Sequence, residues 1–179
     1  MEYISRIGVN TPRKEAWDKV TGAAKYNGDT TTPNILHAKM LTSPHAHAII
    51  KSIDTSEASK ATGVQAVITG EYYPVLSGSV IEDRPPIAKD KVRYFGEPVA
   101  VVVANSEDEA MRAVKLIKVV YDPLPVVNSK GDSIKPSATL IHENLGQYHC
   151  TVEDVYPKPN SNIADHVKIR KGNMSTGWE

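Results

Sequence analysis

The chain has 179 residues, of which 40% are hydrophobic and 23% charged, which is typical of a soluble globular protein with one ordinary domain and a core. Lysine plus arginine equals aspartate plus glutamate at 21 each, and this zero net charge argues against a nucleic-acid-binding protein. Cys150 is the single cysteine, so no internal disulfide can form, and neither the N-terminus nor the longest aliphatic run (residues 99–104) resembles a signal peptide or membrane span. We therefore expect a cytoplasmic protein without membrane contact.

The first predicted strands follow an irregular lead-in. Residues 1–16 show no clear pattern, and turn-forming residues continue as far as Pro33. A strand is predicted over residues 36–41, where Ser43 and Pro44 end it, and a second over residues 45–53, where apolar positions alternate. Because they follow each other closely, these two strands are expected to be neighbours in one sheet.

A short helix and a third strand come next. Asp54 with Glu57 three residues later is the pattern of a capping box, and Gly63 is a suitable end for the short helix that this box begins. The third strand is predicted over residues 64–68. Residues 72–86 carry three prolines and no period, so they are predicted to form a surface loop.

The strongest strand signal lies in the middle of the chain. A strand over residues 91–95 is followed by a break at Gly96–Pro98 and by an aliphatic strand over residues 99–104, which predicts burial on both faces of the sheet. Ser106 and Glu109 form a second capping box. The apolar positions that follow have helical spacing and predict the longest helix, at Ala110, Ala113, Val114 and Ile117.

The composition changes after a last strand at residues 119–121, which Pro123 ends. From residue 128 onward, prolines stand among polar residues with few apolar clusters, so this part cannot bury enough surface to fold alone. We predict a compact α+β domain over residues 17–127, with a mixed sheet, one long helix and one short helix. Residues 128–179 are predicted to be an extended connector that lies on other surfaces.

Two histidines invite a metal-site interpretation. His45 and His47 would share one face of a strand, but zinc requires further ligands, and Cys150 is far away in the sequence. We therefore interpret them as partly exposed strand residues. His142 and Glu143 resemble the start of a zinc-protease helix motif, yet Gly146 stands where the second histidine belongs. No residue is assigned to a catalytic, cofactor-binding or metal site.

Several ordered stretches resemble one family. They are Pro12–Arg13, Asp18–Tyr26, Asp29, Leu36–Ala38, Ser43–Ala48, Ile53–Thr55, Gly63–Gly70, Val92–Ala100, Tyr121–Pro125, His142–Gly146, Ser161–Ala164 and Arg170–Asn173. Together they resemble the front part of the large subunit of molybdenum hydroxylases of the xanthine dehydrogenase/aldehyde oxidase family. The resemblance implies an α/β hammerhead domain at residues 17–127, and a connector toward a molybdopterin-binding domain that this sequence does not contain.

The resemblance also implies a function for the intact enzyme. Such enzymes hydroxylate a carbon of a purine, another N-heterocycle or an aldehyde with oxygen from water, using molybdopterin in the same subunit and [2Fe–2S] and FAD in partner domains or subunits. The family's cofactor motifs and its glutamate base are not in this sequence. The segment is therefore expected to be a non-catalytic scaffold, with self-association of the isolated segment as a further expectation. The alternative is a free-standing hammerhead-fold interaction protein without enzyme activity.

Overall fold

A computed structural model describes residue 8, residues 10–169 and residues 171–178 of the chain. The chain divides into two compact units, Met1–Ile35 and Leu36–Glu179. The first unit holds helix α1, Ala16–Thr21, which ends at Gly22 with a left-handed φ of 74°. A 3-10 turn at Asn27–Asp29 follows it. The prediction made for the N-terminal residues Met1–Arg6 lies outside the described residues.

The second unit contains all the strands of the described chain. Its elements, in order, are β1 (His37–Thr42), β2 (Ala48–Asp54), α2 (Ser56–Ser59), β3 (Val64–Thr69), β4 (Lys91–Val92), β5 (Pro98–Ala104), α3 (Glu107–Val114), β6 (Lys118–Pro123), α4 (Lys130–Ser133) and α5 (Met174–Gly177). A 3-10 turn at Leu145–Gln147 lies between the last two helices. Within the described residues, no helix is long and apolar enough to cross a membrane.

The strands form two three-stranded sheets, in the orders β1–β5–β3 and β4–β2–β6. The predicted α+β class is confirmed, with eight residues in α3 and four in α2 as the longer and the shorter helix of the strand region. The expectation of one mixed sheet is wrong, because every described pairing is antiparallel. All strands instead pair with partners that are distant in the sequence, since no two consecutive strands pair with each other.

β1 and β2 are not neighbours, contrary to the sequence-based expectation. β1 pairs with β5, whereas β2 pairs with β4 and β6 in the other sheet. The reason is local, because the hydroxyl of Ser43 accepts a hydrogen bond from the His45 N–H at 3.0 Å and bends the chain there. β2 begins only at Ala48, so both histidines precede it.

The N-cap predicted for α3 is confirmed, but the capping box is not completed, because the Glu109 carboxylate binds the Ser106 hydroxyl and not the Ser106 N–H. The Ser106 hydroxyl accepts the Glu109 N–H at 3.3 Å and donates to the Glu109 carboxylate at 2.9 Å. This satisfies a donor that the first helical turn would otherwise leave free. The helix ends at Val114, earlier than its apolar spacing predicts, and Ile117 is buried through a following turn instead.

The cap predicted for α2 is wrong by one residue. The N-cap is Thr55, and the Asp54 carboxylate accepts the Ser56 N–H at 2.9 Å. Glu57 does not complete a capping box, because its carboxylate pairs with the Lys118 ammonium at 2.6 Å. The ion pair with Lys118 of β6 therefore replaces the capping-box hydrogen bond that the sequence predicted for Glu57.

Two buried clusters lie on either side of β5. One is formed by Ala48, Ile50, Ala88, Val92 and Val99. The other is formed by Ala58, Ala100, Val102, Ala113 and Ile117. Alternate β5 side chains thus contribute to different clusters, as expected for a strand whose residues alternate between faces. Val101 and Val103 belong to neither cluster and are only half-buried.

Candidate functional site

The turn between β4 and β5 carries an unusual concentration of charged groups in the interior. Gly96 has a left-handed φ of 84°, which only glycine adopts without strain. Its N–H donates to the Ser43 carbonyl at 2.9 Å, and the Ser43 N–H donates to the Glu97 carbonyl at 2.9 Å. The break predicted at Gly96–Pro98 is therefore a tight turn fixed against the end of β1, and it directs the Glu97 side chain inward.

Glu97 is a buried carboxyl group. Its side chain is 1% exposed, one oxygen accepts the Arg93 N–H, and the other, Oε1, has no partner among the described residues. Burial raises the pKa of Glu97, and the bond from the Arg93 N–H offsets this only in part. The folded state therefore favours the protonated carboxyl more than the unfolded chain does.

This burial predicts a pH effect on stability. Because the folded-state pKa of Glu97 is raised, its stabilising contribution is complete below the ordinary glutamate pKa and is lost as the pH rises through the folded-state pKa. We expect the stability of Glu97→Gln relative to the native chain to increase between about pH 4.5 and 7. Urea midpoints measured across this range test the expectation.

Glu107→Gln is a control whose relative stability should change with pH in the opposite direction. Glu107 is exposed, and its hydrogen bond and attraction to Lys39 lower its pKa. The ionised Glu107 therefore stabilises the fold above the ordinary glutamate pKa, and this contribution disappears on acidification. The stability of Glu107→Gln relative to the native chain should decrease as the pH rises. A Glu97→Gln difference that stays constant with pH would contradict the burial of the carboxylate.

Lys91 is a second buried ionisable residue close to this turn. Its side chain is 4% exposed, and its ammonium donates to the Glu143 carboxylate at 2.6 Å and to the Leu140 carbonyl at 3.2 Å. Burial raises the pKa of Glu143, but the hydrogen bond from Lys91 together with the backbone hydrogen bond and the charges of Lys91 and Arg93 outweighs it, so the pKa of Glu143 is lowered overall. The Glu143 carboxyl is therefore ionised at neutral pH, and its contact with the Lys91 side chain joins β4 to the segment after β6.

Arg93 and His142 extend the same contact. The Arg93 guanidinium donates from Nε to the Ile141 carbonyl at 3.2 Å and from Nη1 to the Lys91 carbonyl at 3.1 Å. His142 packs edge-to-face on Tyr148, with ring centroids 5.6 Å apart. Burial, followed by the nearby Arg93 charge, lowers the pKa of His142. We call Lys91, Arg93, Glu97, His142 and Glu143 the charged cluster.

Asn162 holds part of the segment after β6 in place. Its amide donates to the Thr139 carbonyl at 2.9 Å and to the Ser133 carbonyl at 3.3 Å, while its oxygen accepts the Ile141 N–H at 2.9 Å. One side chain thus satisfies three backbone groups of the preceding residues. This contact keeps the segment that contains Glu143 in the conformation that reaches Lys91.

The histidines considered as zinc ligands do not form such a site in the described chain. His47 is 2% exposed, so its assignment as partly exposed is wrong, and its Nδ1 lies 2.8 Å from the Pro125 carbonyl. A carbonyl only accepts, so Nδ1 donates the hydrogen bond. The buried Nε2 has no hydrogen-bond partner among the described residues. His45 packs against Tyr121, with ring centroids 5.0 Å apart. Among the described residues, no three His, Cys, Asp or Glu side chains meet as a metal-binding group.

We therefore predict that the chain binds zinc no more tightly than about micromolar, because two ligands are too few for a stable tetrahedral site. Isothermal titration calorimetry with zinc is the measurement. His45→Ala serves as the matched variant. A tight stoichiometric site that this substitution abolishes would contradict the prediction.

Sequence reasoning missed the charged cluster. The sequence predicted only a break between strands at Gly96–Pro98, and nothing in it linked Lys91 to Glu143. One weak signal was available, because Lys91 and Arg93 are cations in a short stretch that is otherwise typical of a buried strand. In chemical terms, the cations of the cluster bind the carbonyl and carboxylate oxygens of a polypeptide segment.

Comparison with known proteins gives consistent matches. The sequence profile described as "Aldehyde oxidase and xanthine dehydrogenase, a/b hammerhead domain" matches residues 21–125. A probable xanthine dehydrogenase subunit of Bacillus subtilis is 40% identical over 146 residues, which are 79% of this chain and 20% of that protein. The carbon monoxide dehydrogenase large chain of Afipia carboxidovorans is 35% identical over 152 residues, covering 80% of this chain and 18% of that one.

Solved structures agree. The aldehyde oxidoreductase of Desulfovibrio gigas superposes with a TM-score of 0.66 at 31% identity, covering 81% of this chain and 17% of that one. Quinoline 2-oxidoreductase of Pseudomonas putida 86 gives a TM-score of 0.64 at 36% identity, covering 71% and 17%. The chain thus spans about a fifth of the length of the curated relatives that it matches.

Proposed function

The chain belongs to the aldehyde oxidase and xanthine dehydrogenase family through its a/b hammerhead domain, and on this basis we propose that it is a non-catalytic scaffold segment of a molybdenum hydroxylase large subunit. The observation that carries the proposal is the length relation, because the chain aligns with about a fifth of each large chain. The remaining four fifths of such a subunit would hold the chemistry. We propose the cytoplasm as its location.

The charged cluster supports a scaffold role. Its two cations are bound by groups of the chain itself. The buried Lys91 is bound by Glu143 and the Leu140 carbonyl, and the half-buried Arg93 is bound by the Ile141 and Lys91 carbonyls. They hold the segment after β6 against β4. We propose that residues 17–127 form the domain and that residues 128–179 connect it to a molybdopterin-binding region.

The intact enzyme would hydroxylate a carbon of a purine, another N-heterocycle or an aldehyde with oxygen from water, and we favour a xanthine dehydrogenase-like activity. Molybdopterin would lie in the rest of the subunit, with [2Fe–2S] and FAD in partner domains or subunits. The described residues do not fit these groups. Cys150 is the one thiol where an iron–sulfur cluster takes four, and the buried Lys91 ammonium is already paired with Glu143. We therefore assign no chemical step to this chain.

Native extracts provide the test. An antibody raised against the 179-residue chain should detect a polypeptide about five times as long as the matched segment, because that segment is 20% of the Bacillus relative. Molybdenum measured by mass spectrometry should co-purify with this polypeptide on an affinity column of the same antibody. Iron and flavin in the same fraction would identify the partner subunits or domains.

The alternative, a free-standing hammerhead-fold interaction protein, gives a different result in the same experiment. The antibody would then detect a product of 179 residues, and molybdenum would not follow it through purification. Such a result would overturn the scaffold proposal.

A further inference from the structure

One face of the sheet β1–β5–β3 is apolar and uncovered among the described residues. Strand register assigns the side chains to faces, because residues paired across antiparallel strands point to the same side. Met40 pairs with Val101, which pairs with Ile68 on the other side, and Ala38, Val103 and Ala66 form the next row. We call the six residues Ala38, Met40, Ala66, Ile68, Val101 and Val103 the open face.

The opposite face of the same sheet is covered by α3. Leu41, Val67 and Val102 point there and pack in the cluster that includes Ala113 of α3. α3 therefore covers one side of all three strands. On the open-face side, the second sheet's cluster reaches β5 only at Val99.

The open face is exposed to different degrees. The Met40 side chain is 61% exposed, Ala38 and Ala66 are exposed, and Ile68, Val101 and Val103 are half-buried. None of the six side chains carries a charge or a hydrogen-bonding group. A solvated sheet face normally alternates with polar residues, whereas β5 is apolar at all seven positions, Pro98–Ala104, as in strands covered on both sides.

We propose that the open face is a docking surface for an apolar layer supplied by another part of the same polypeptide. This inference rests on the proposed function, which places the chain within a subunit about five times as long as the matched segment. The layer would present aliphatic or aromatic side chains without charges and would lie about 10 Å above the sheet.

The size of the open face favours a covalently linked layer over a second copy of the chain. Three strands spaced about 4.8 Å apart, each contributing a few residues at about 3.3 Å, give an area of roughly 200–300 Å². A stable association of separate chains buries about 800 Å² on each partner. A layer within the same polypeptide does not lose the translational and rotational freedom that two separate chains would lose.

Thiol labelling tests the inference. Met40→Cys is introduced into the 179-residue chain and into the native gene product, and maleimide incorporation is followed by mass spectrometry of the peptide that carries residue 40. Arg112→Cys is the matched control, because Arg112 lies exposed on the charged outer side of α3. We expect the thiol introduced at position 40 to be labelled at least about 50-fold more slowly in the native product, and the thiol at position 112 to differ less than about 3-fold.

Each other outcome overturns the docking surface. Equal labelling at position 40 in the 179-residue chain and in a longer native product would mean that the face stays open. Protection of position 40 in the 179-residue chain that disappears on dilution would identify a second copy as the occupant. The length of the native product, measured separately, shows whether the proposed function itself has failed, since a 179-residue product has no further part to supply the layer.

Discussion

Val102→Asp is expected to destabilise severely the sheet that contains β5 and to lower its melting temperature. Val102 is 0% exposed and packs between the sheet and α3, against Ala113 and Ile117. A carboxylate there has no partner in the apolar cluster, so the substitution costs about 4 kcal/mol or more. A domain of this size is stable by about 5–15 kcal/mol, so much of the margin is lost. Circular dichroism during thermal and urea unfolding is the measurement.

Val120→Asp is the matched control. Val120 also lies in a strand, β6, but its side chain is 56% exposed, so a carboxylate there remains hydrated. We expect this variant to lose about 1 kcal/mol or less. An unchanged melting temperature for Val102→Asp would mean that β5 does not lie in the core.

Glu143→Ala should release the segment that follows β6. The substitution leaves the Lys91 ammonium, which is 4% exposed, with the Leu140 carbonyl as its remaining acceptor. Removing one partner of a fully buried pair costs about 3–5 kcal/mol, but Glu143 is 57% exposed and water can reach the site, so about 2 kcal/mol is expected. Limited proteolysis should then cut residues 128–165 roughly thirty-fold faster, while β5 and α3 stay intact.

The pair between Glu57 and Lys118 provides the comparison. Its oxygen–nitrogen distance is also 2.6 Å, but both side chains are more than half exposed, so solvent screens the attraction. Glu57→Ala should leave proteolysis of residues 128–165 unchanged. Equal effects of the two substitutions would show that burial of Lys91 is not what holds the segment.

Local chemistry explains which parts of the fold the sequence predicted. Ser106 and Glu109 identified the start of α3, and the aliphatic run identified β5, because capping and strand periodicity depend on residues close together in the chain. The end of α3 was predicted too late. Ile117 has the right spacing for the helix, but it reaches the core through a turn after Val114.

Contacts between distant residues account for what the sequence did not predict. β1 and β2 follow each other but belong to different sheets, and the Glu57 carboxylate pairs with Lys118 instead of capping its own helix. The burial of His47 and Glu97 depends on Pro125 and on the turn at Gly96, which no local pattern indicates. A single sequence contains no direct record of such pairings.

The strand pairings also have a consequence for synthesis on the ribosome. Among the six strands, the paired residues that lie closest along the chain, Thr69 and Ala100, are separated by about 30 residues, and Ala48 pairs with Pro123 about 75 residues later. At roughly 5–20 residues per second, β1, β2 and β3 wait for seconds before their partners emerge. During this interval the nascent chain exposes unpaired aliphatic strands, so we expect its yield to depend on chaperones that bind such segments before residue 123 leaves the exit tunnel.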